Sequence, residues 1–147
     1  MTHSDLIETK KVLTAYGEST VSSMRNILIS KGKSASGQLV RSISYRLTYL
    51  GEDLALEFDM LDYGIFVDQG RKPGKMPPIS SIRPWLSIKG IDQKFAFPIA
   101  KKIGKKGIPA TPFFGSTITS TQEILAEELA DAFALDIVNY VTNTLDK

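Results

Sequence analysis

The sequence predicts an α+β fold in which long N- and C-terminal helices, together with short helices, pack on a small antiparallel β-sheet. Two observations predict it. Apolar residues recur at helical spacing near both ends of the chain, and they alternate with polar residues over residues 42–60. The 147 residues suffice for one hydrophobic core, so a single domain spanning residues 1–147 is expected.

The first helix is predicted over residues 4–30, with Ser4 and Asp5 as its start signal. Its apolar face is expected to comprise Leu6, Leu13, Tyr16, Met24 and Ile27. Charged residues such as Arg25 are assigned to the opposite face. The Gly- and Ser-rich residues 30–38 then predict a loop.

Residues 42–60 are typical of a β-hairpin. Two alternating runs flank the short turn sequence LGED at residues 50–53. The predicted apolar face comprises Ile43, Tyr45, Leu47, Tyr49, Leu54, Leu56, Phe58 and Met60. A lone hairpin is unstable, so this face is expected to lie on the long helices.

Shorter elements are predicted between the hairpin and the last helix. A short helix or turn over 62–69 precedes a loop over 70–78 that contains Gly and Pro. Two further helices follow. Their start and stop signals are, in chain order, Ser80 or Ser81, Gly90, Asp92, and Gly104 or Gly107. Pro84 is expected in the first turn of one helix, whereas Pro98 would kink or split the other.

The last helix is predicted from about Ile118. Its apolar positions, at strict four-residue steps, are Leu125, Leu129, Phe133, Ile137 and Val141. The acidic residues Glu127, Glu128 and Asp131 lie off that row.

Charge is unevenly distributed along the chain. Residues 62–110 carry 10 Lys or Arg against 3 Asp or Glu, net +7, whereas residues 111–147 carry 1 against 6, net −5. This division indicates complementary surfaces, within the fold or between copies of it. The alternative is that both are solvated faces.

The residue types exclude several chemistries. There is no Cys, and His3, at an end expected to fray, is the only His, which argues against thiolate chemistry, a His-based zinc site or a Ser-His-Asp triad. The N-terminus lacks the apolar core of a signal peptide, and no apolar run is long enough to span a membrane. No secretion and no membrane contact are therefore expected.

The sequence GRKPGKM, residues 70–76, does not fit a phosphate-binding loop. Three residues rather than four separate its glycines, and Met76 occupies the place of the Mg²⁺-binding hydroxyl. The paired acids Glu52 with Asp53, and Asp62 with Asp68, suit a hairpin turn and structural caps or ion pairs better than acid–base catalysis. No enzyme, metal site or cofactor is predicted.

Nucleic-acid binding is the main alternative. Lys101, Lys102, Lys105 and Lys106 would form one positive stripe on a helix, facing DNA or an acidic partner. Phe95 and Phe97 are expected to face the core, with Phe97, Ala100 and Ile103 forming the buried side, which makes base stacking unfavourable. The competing interpretation is a solvated helix face.

The loop 70–78 is basic, through Arg71, Lys72 and Lys75, and stiffened by proline. Apolar segments flank it, residues 63–67 before it and Trp85 after it. We therefore expect the loop to project from the hairpin and dock on a partner subunit. Trp85 itself fits a core position and an interface anchor equally well.

The order of motifs in the second half resembles the small neck and tail-completion proteins of tailed bacteriophages, which join head to tail. The carrying segments are YGIFVDQGRKPG, a Trp-bearing helix, and AFPIAKKIGKKGIPATPFF before a terminal helix. The matching residues are Tyr63, Val67, Asp68, Gly70, Pro73, Pro112 and Phe113. The resemblance covers roughly residues 36–115. It departs from the family pattern at Asp68, Arg71 and Thr111, where Glu, Thr and Arg are more usual.

The resemblance implies a non-enzymatic virion protein, assembled in the host cytoplasm, that forms a ring between the portal side of the head and the tail tube. Its implied partners are copies of itself and neighbouring neck, portal-adjacent or tail-tube proteins. A further possible partner is genomic DNA that passes through the lumen and is contacted without sequence specificity. The expected subunit-interface residues are Tyr63, Phe66, Asp68, Gly70, Arg71, Lys72, Pro73, Lys75, Trp85, Pro112 and Phe113.

Overall fold

A computed structural model describes residues 1–32 and 37–147 and confirms the α+β class. The elements in chain order are α1 (Ile7–Ser30), α2 (Gln38–Ser42), β1 (Ser44–Leu50), β2 (Asp53–Asp59), α3 (Gly64–Gln69), α4 (Ile79–Lys89), α5 (Ala96–Lys106) and α6 (Phe113–Leu145). Short 3₁₀ turns form at His3–Asp5 and Gln93–Phe95. Part of the loop predicted over residues 30–38 lies outside the described residues.

The hairpin is present as predicted. β1 and β2 are antiparallel, and Tyr45 lies opposite Phe58, Leu47 opposite Leu56, and Tyr49 opposite Leu54. The apolar positions therefore share one face, which packs on α1. Near the turn, the His3 ring packs against Tyr49 with centroids 4.5 Å apart and the ring planes tilted by 36°. Its Nε2 lies 2.8 Å from the Glu52 carbonyl oxygen, so the contacts of His3 contradict the expected frayed end.

Helices α1 and α6 form the main packing contact and run antiparallel. Phe113, at the start of α6, is fully buried among Val21, Met24 and Leu28 of α1, while Asp136 near the other end of α6 reaches the start of α1. The predicted face of α1 is right at Leu13 and Met24, but the structure also buries Gly17, Thr20, Val21 and Leu28.

The sequence predicted Arg25 on the solvent-facing side of α1, and the structure shows that this prediction is wrong. Arg25 is half-buried, and its guanidinium donates hydrogen bonds to the carbonyl oxygens of Val40 at 3.1 Å and Ile43 at 2.7 Å. These bonds join α1 to the chain around α2. The arginine therefore satisfies backbone acceptors between elements, where a solvated charge was expected.

Helices α4 and α5 form a second, smaller hydrophobic cluster. Its buried members are Ile82, Leu86, Ala96 and Ala100, with half-buried Trp85 packed against them. Phe97 was predicted to be part of the buried side, but the structure leaves 54% of it exposed, and Phe95 is 44% exposed. Ala100 is buried as predicted, and Ile103 is half-buried against the same cluster. Ala96 and Gly104 complete the buried side in place of Phe97, because small residues let α5 approach its neighbours closely.

Two proline predictions change in the structure. α4 begins at Ile79, after Pro78, with no side-chain cap from Ser80 or Ser81, so Pro84 lies inside the helix rather than in its first turn. Pro98 is the third residue of α5, a position at which a backbone N–H has no acceptor within the helix. It therefore neither kinks nor splits α5. The predicted stop at Gly90 and the Asp92 cap, which accepts a bond from the Lys94 N–H, are confirmed.

Helix α6 begins five residues before the predicted start, at Phe113 rather than Ile118. The predicted row of apolar residues is also only partly correct. Leu125 and Leu129 are half-buried, but Phe133, Ile137 and Val141 are exposed. Each four-residue step turns about 40° beyond one full turn, so such a row leaves the α1 contact. A three-residue step from Leu129 to Ala132 keeps the buried face in register, and Asp136 then follows.

Candidate functional site

The loop 70–78 is held against its own chain rather than projecting from the hairpin, which corrects the expected geometry. Arg71 and Ile108 exchange backbone hydrogen bonds of 2.8 Å, and the Gly74 N–H donates to the Gly104 carbonyl at 2.7 Å. Gly104 is buried against the loop backbone. A Cβ added at this glycine would lie only 2.8 Å from the Met76 Cα. The loop therefore lies along the C-terminal end of α5.

The charged side chains of this loop nevertheless reach solvent. Lys72 and Lys75 are exposed, and Arg71 is half-buried with its guanidinium donating to the Lys75 carbonyl at 3.3 Å. Gly70 and Pro73 shape the backbone beneath them. Gly70 has φ of +68°, and a Cβ there would meet the Ile108 carbonyl oxygen at 2.5 Å, so only glycine fits this close approach.

The four lysines of α5 are all exposed, as the stripe prediction requires. Phe97, Lys101 and Lys105 stand at four-residue steps and so form one row on the exposed side. Lys102 and Lys106 form a second row beside it. The Lys94 ammonium lies 5.2 Å from the Phe95 ring centroid, so aromatic and cationic groups share this surface.

The C-terminal segment of α6, residues 132–145, exposes apolar side chains on several sides. Its only charged residue is Asp136, which is buried. The exposed apolar residues are Phe133, Leu135, Ile137, Val138, Tyr140, Val141 and Leu145. Because the first residues of α1 contact Asp136, the last nine residues of α6 extend about 13 Å beyond them. A helix that exposes large apolar side chains on several sides is normally covered by other protein.

Asp136 is a site that the sequence prediction missed. It is 1% exposed, and its carboxylate accepts hydrogen bonds from the Glu8 N–H at 2.8 Å and the Thr9 N–H at 2.9 Å. Burial raises the pKa of Asp136, but these backbone hydrogen bonds outweigh it and leave the pKa below its ordinary value. An Asp within an otherwise apolar helical segment was the available signal.

Asp68 accepts backbone hydrogen bonds from the first turn of α6, as Asp136 does from the first turn of α1. Its Oδ1 accepts bonds from the N–H groups of Phe114 at 2.8 Å and Gly115 at 3.0 Å, which are free donors in the first turn of that helix. The predicted structural role as a helix cap is therefore what the geometry shows. The described contacts give Asp68 no ion pair with Arg71 or Lys72.

The remaining predicted interface residues divide between surface and interior. Phe66 is 45% exposed and Pro112 is exposed, whereas Tyr63 is half-buried against the main core and Trp85 against the smaller one. Phe113 has no exposed surface. It stabilises the chain's own core and is a correction to the predicted interface.

A shallow open groove lies between α1 and the chain around α2 and is lined in part by Glu18, Arg25 and Tyr45. Residues 1–32 and 37–147 contain no group of three or more His, Cys, Asp or Glu placed to hold a metal ion. Among the same residues, no helix has the length and apolar character needed to cross a membrane.

Comparison with known proteins adds no relative. No family model, curated protein or solved structure matches this chain.

Proposed function

We propose that this chain is a non-enzymatic structural protein of a tailed-phage virion, forming a ring in the neck or tail-completion region that joins the portal side of the head to the tail. The observation that carries the proposal is the exposed apolar C-terminal segment of α6. Monomeric proteins rarely leave such a surface uncovered, so it calls for protein neighbours. The order of motifs in residues 36–115 resembles that of neck and tail-completion proteins, and this resemblance indicates the kind of assembly.

The distribution of charge supports a ring over a symmetric pair. The basic side chains of the loop and α5 lie on one region of the surface, while Glu123, Glu127, Glu128 and Asp131 lie exposed on α6. In a heterologous contact, one face of each copy meets a different face of the next, and rotation can close the series into a ring. Opposite charges on two distinct faces favour that arrangement.

The test is the state of assembly. At high concentration, or together with the neighbouring neck or tail protein, we expect closed oligomers of defined mass by multi-angle light scattering and ring-shaped particles by negative-stain electron microscopy. Monomers alone in both settings would overturn the proposal.

A DNA-binding accessory protein is the second candidate, and one observation favours it. Phe95 and Phe97 are exposed beside the lysines of α5, so aromatic faces are present near cationic groups. This candidate requires affinity for nucleic acid that falls steeply with salt. Titration of labelled single-stranded and duplex DNA at low and high salt measures it, and no binding at low salt would exclude it.

A further inference from the structure

One row of exposed residues on α6 combines acidic and apolar side chains. Glu127, Asp131 and Leu135 are all exposed and follow each other at four-residue steps, so they form a ridge on the helix surface. Leu135 is 55% exposed although it is a large apolar residue. Towards the N-terminus of α6, the row reads apolar, acidic, acidic.

The row on α5 has the matching composition with the opposite charge. Phe97, Lys101 and Lys105 are exposed at the same four-residue steps, and Phe97 is 54% exposed. Towards the C-terminus of α5, this row reads apolar, basic, basic. Each step spans about 6 Å along a helix, so the two rows have equal length and equal spacing.

We propose that these two rows pair between neighbouring copies of the chain, with α5 of one copy antiparallel to α6 of the next. This orientation places Phe97 against Leu135, Lys101 against Asp131 and Lys105 against Glu127 of the neighbour. A parallel orientation would place Phe97 against an acid and Lys105 against Leu135. Ridges of four-residue spacing on both helices pack in the commonest class of helix contact.

A second copy fits these rows better than other occupants. Within one chain α5 packs on α4 and α6 packs on α1, so both exposed rows are available to a neighbour. A contact between two α6 helices would bring acids against acids, and nucleic acid would contact α5 while leaving Leu135 uncovered. The pairing of α5 with α6 covers both apolar residues and neutralises both charge groups.

The contact is heterologous, because each copy offers its α5 row to one neighbour and its α6 row to another. The inference deepens the proposed ring and rests on that proposed function.

Charge reversal gives the first test. The variant Lys101→Glu with Lys105→Glu makes both rows acidic, and Glu127→Lys with Asp131→Lys makes both rows basic. Each variant alone is expected to remain monomeric at concentrations at which the unmodified chain assembles, with at least about a tenfold loss of affinity. An equimolar mixture is expected to assemble again, because each acidic α5 row then meets a basic α6 row and each basic α5 row an acidic one.

Disulfide trapping gives the second test, and the absence of Cys from the sequence makes it clean. Copies carrying Lys101→Cys are mixed with tagged copies carrying Asp131→Cys and oxidised. We expect a cross-linked pair in higher yield than with Lys102→Cys as the partner, because Lys102 is turned about 100° around α5 from Lys101. Circular dichroism and urea unfolding verify that every variant is folded.

The outcomes separate the possibilities. If the unmodified chain assembles but both reversed variants assemble equally well alone, the ring stands and the α5–α6 contact is overturned. Preferential Asp131→Cys self-cross-linking would replace it with an α6–α6 contact. Loss of DNA binding by Lys101→Glu with Lys105→Glu, without loss of assembly, would assign the α5 row to nucleic acid. If the unmodified chain stays monomeric in every setting, the ring and the contact fail together.

Discussion

Two aspartates that are distant in sequence cap the N-termini of the two long helices. Asp136 accepts the N–H groups of the second and third residues of α1, and Asp68 accepts those of the second and third residues of α6. A carboxylate at this position satisfies free backbone donors and interacts favourably with the helix dipole. Each helix start is thereby tied to another part of the chain.

Asp136→Asn is expected to destabilise the chain. The amide keeps only one acceptor for two backbone donors, and the buried site offers little water to replace the lost bond, so the unfolding free energy should fall by about 1–3 kcal/mol. Urea unfolding of the monomer measures it. Glu128→Gln, on an exposed side of the same helix, is the control and should change stability by less than about 0.5 kcal/mol. Equal effects of the two variants would contradict the assigned role.

The same variant predicts a pH dependence. The folded-state pKa of Asp136 is below the ordinary value of 3.8, so its carboxylate stabilises the fold above that pH and the stabilisation is lost as the pH falls through the folded pKa. The difference in unfolding free energy between the original chain and Asp136→Asn should therefore be constant near neutrality and shrink below about pH 3.8. A difference that does not change with acidification would contradict it.

Among the elements, the contact between the loop 70–78 and α5 depends on glycines. Gly104 brings the loop backbone next to the helix, with the Gly74 N–H bonded to the Gly104 carbonyl. Gly107, which follows the last residue of α5 and has φ of +70°, lies against the Arg71 carbonyl oxygen. Backbone contacts therefore position the basic loop, and its exposed lysine side chains are not needed to hold it on α5.

Gly104→Ala tests this contact. Alanine normally favours a helix over glycine by about 1 kcal/mol, but here its Cβ would meet the Met76 backbone, so we expect a net loss of about 1–3 kcal/mol. Hydrogen exchange should also show a loss of protection at the Gly74 amide. The matched control is Gly115→Ala in α6, whose Cβ would find its nearest neighbour at 3.6 Å and should be neutral or stabilising. Equal stability and unchanged exchange in Gly104→Ala would contradict the packing described.

On the scale of the whole molecule, charge and apolar exposure are both polarised. Residues 62–110 are net +7 and residues 111–147 are net −5, and the structure places their exposed charges on different helices. The apolar C-terminal segment of α6 continues from the acidic part of that helix. The proposed ring requires a distribution of this kind, with complementary charges and uncovered apolar side chains on different helices.

Replacing Arg71, Lys72 and Lys75 with Ser tests the loop's part in assembly. Because the backbone holds the loop, we expect the monomer to stay folded, while the apparent dissociation constant of the oligomer rises at least about fivefold, or about 1 kcal/mol. Sedimentation velocity over a concentration series measures this. The control replaces Lys11 and Lys31, exposed lysines of α1 and its C-cap, with Ser. Assembly unchanged from the original chain would mean that the loop is only solvated.

The sequence by itself determined the class of fold and most of its elements. Period-two alternation specified which face of the hairpin is apolar, because successive side chains on a strand point to opposite faces. Glycine and capping residues located the C-terminal ends of α3 and α4 and the 3₁₀ turn before α5, because these signals act through neighbouring backbone groups.

Tertiary structure alone decided the features that depend on distant residues. The first turn of α6 is capped by Asp68, which is 45 positions before Phe113, and the buried carboxylate of Asp136 accepts the free N–H groups of α1. The loop 70–78 lies on α5 because of close backbone approaches that no local pattern encodes. Likewise, which sides of α5 and α6 remain uncovered follows from where the other helices pack, and helical spacing alone cannot specify that.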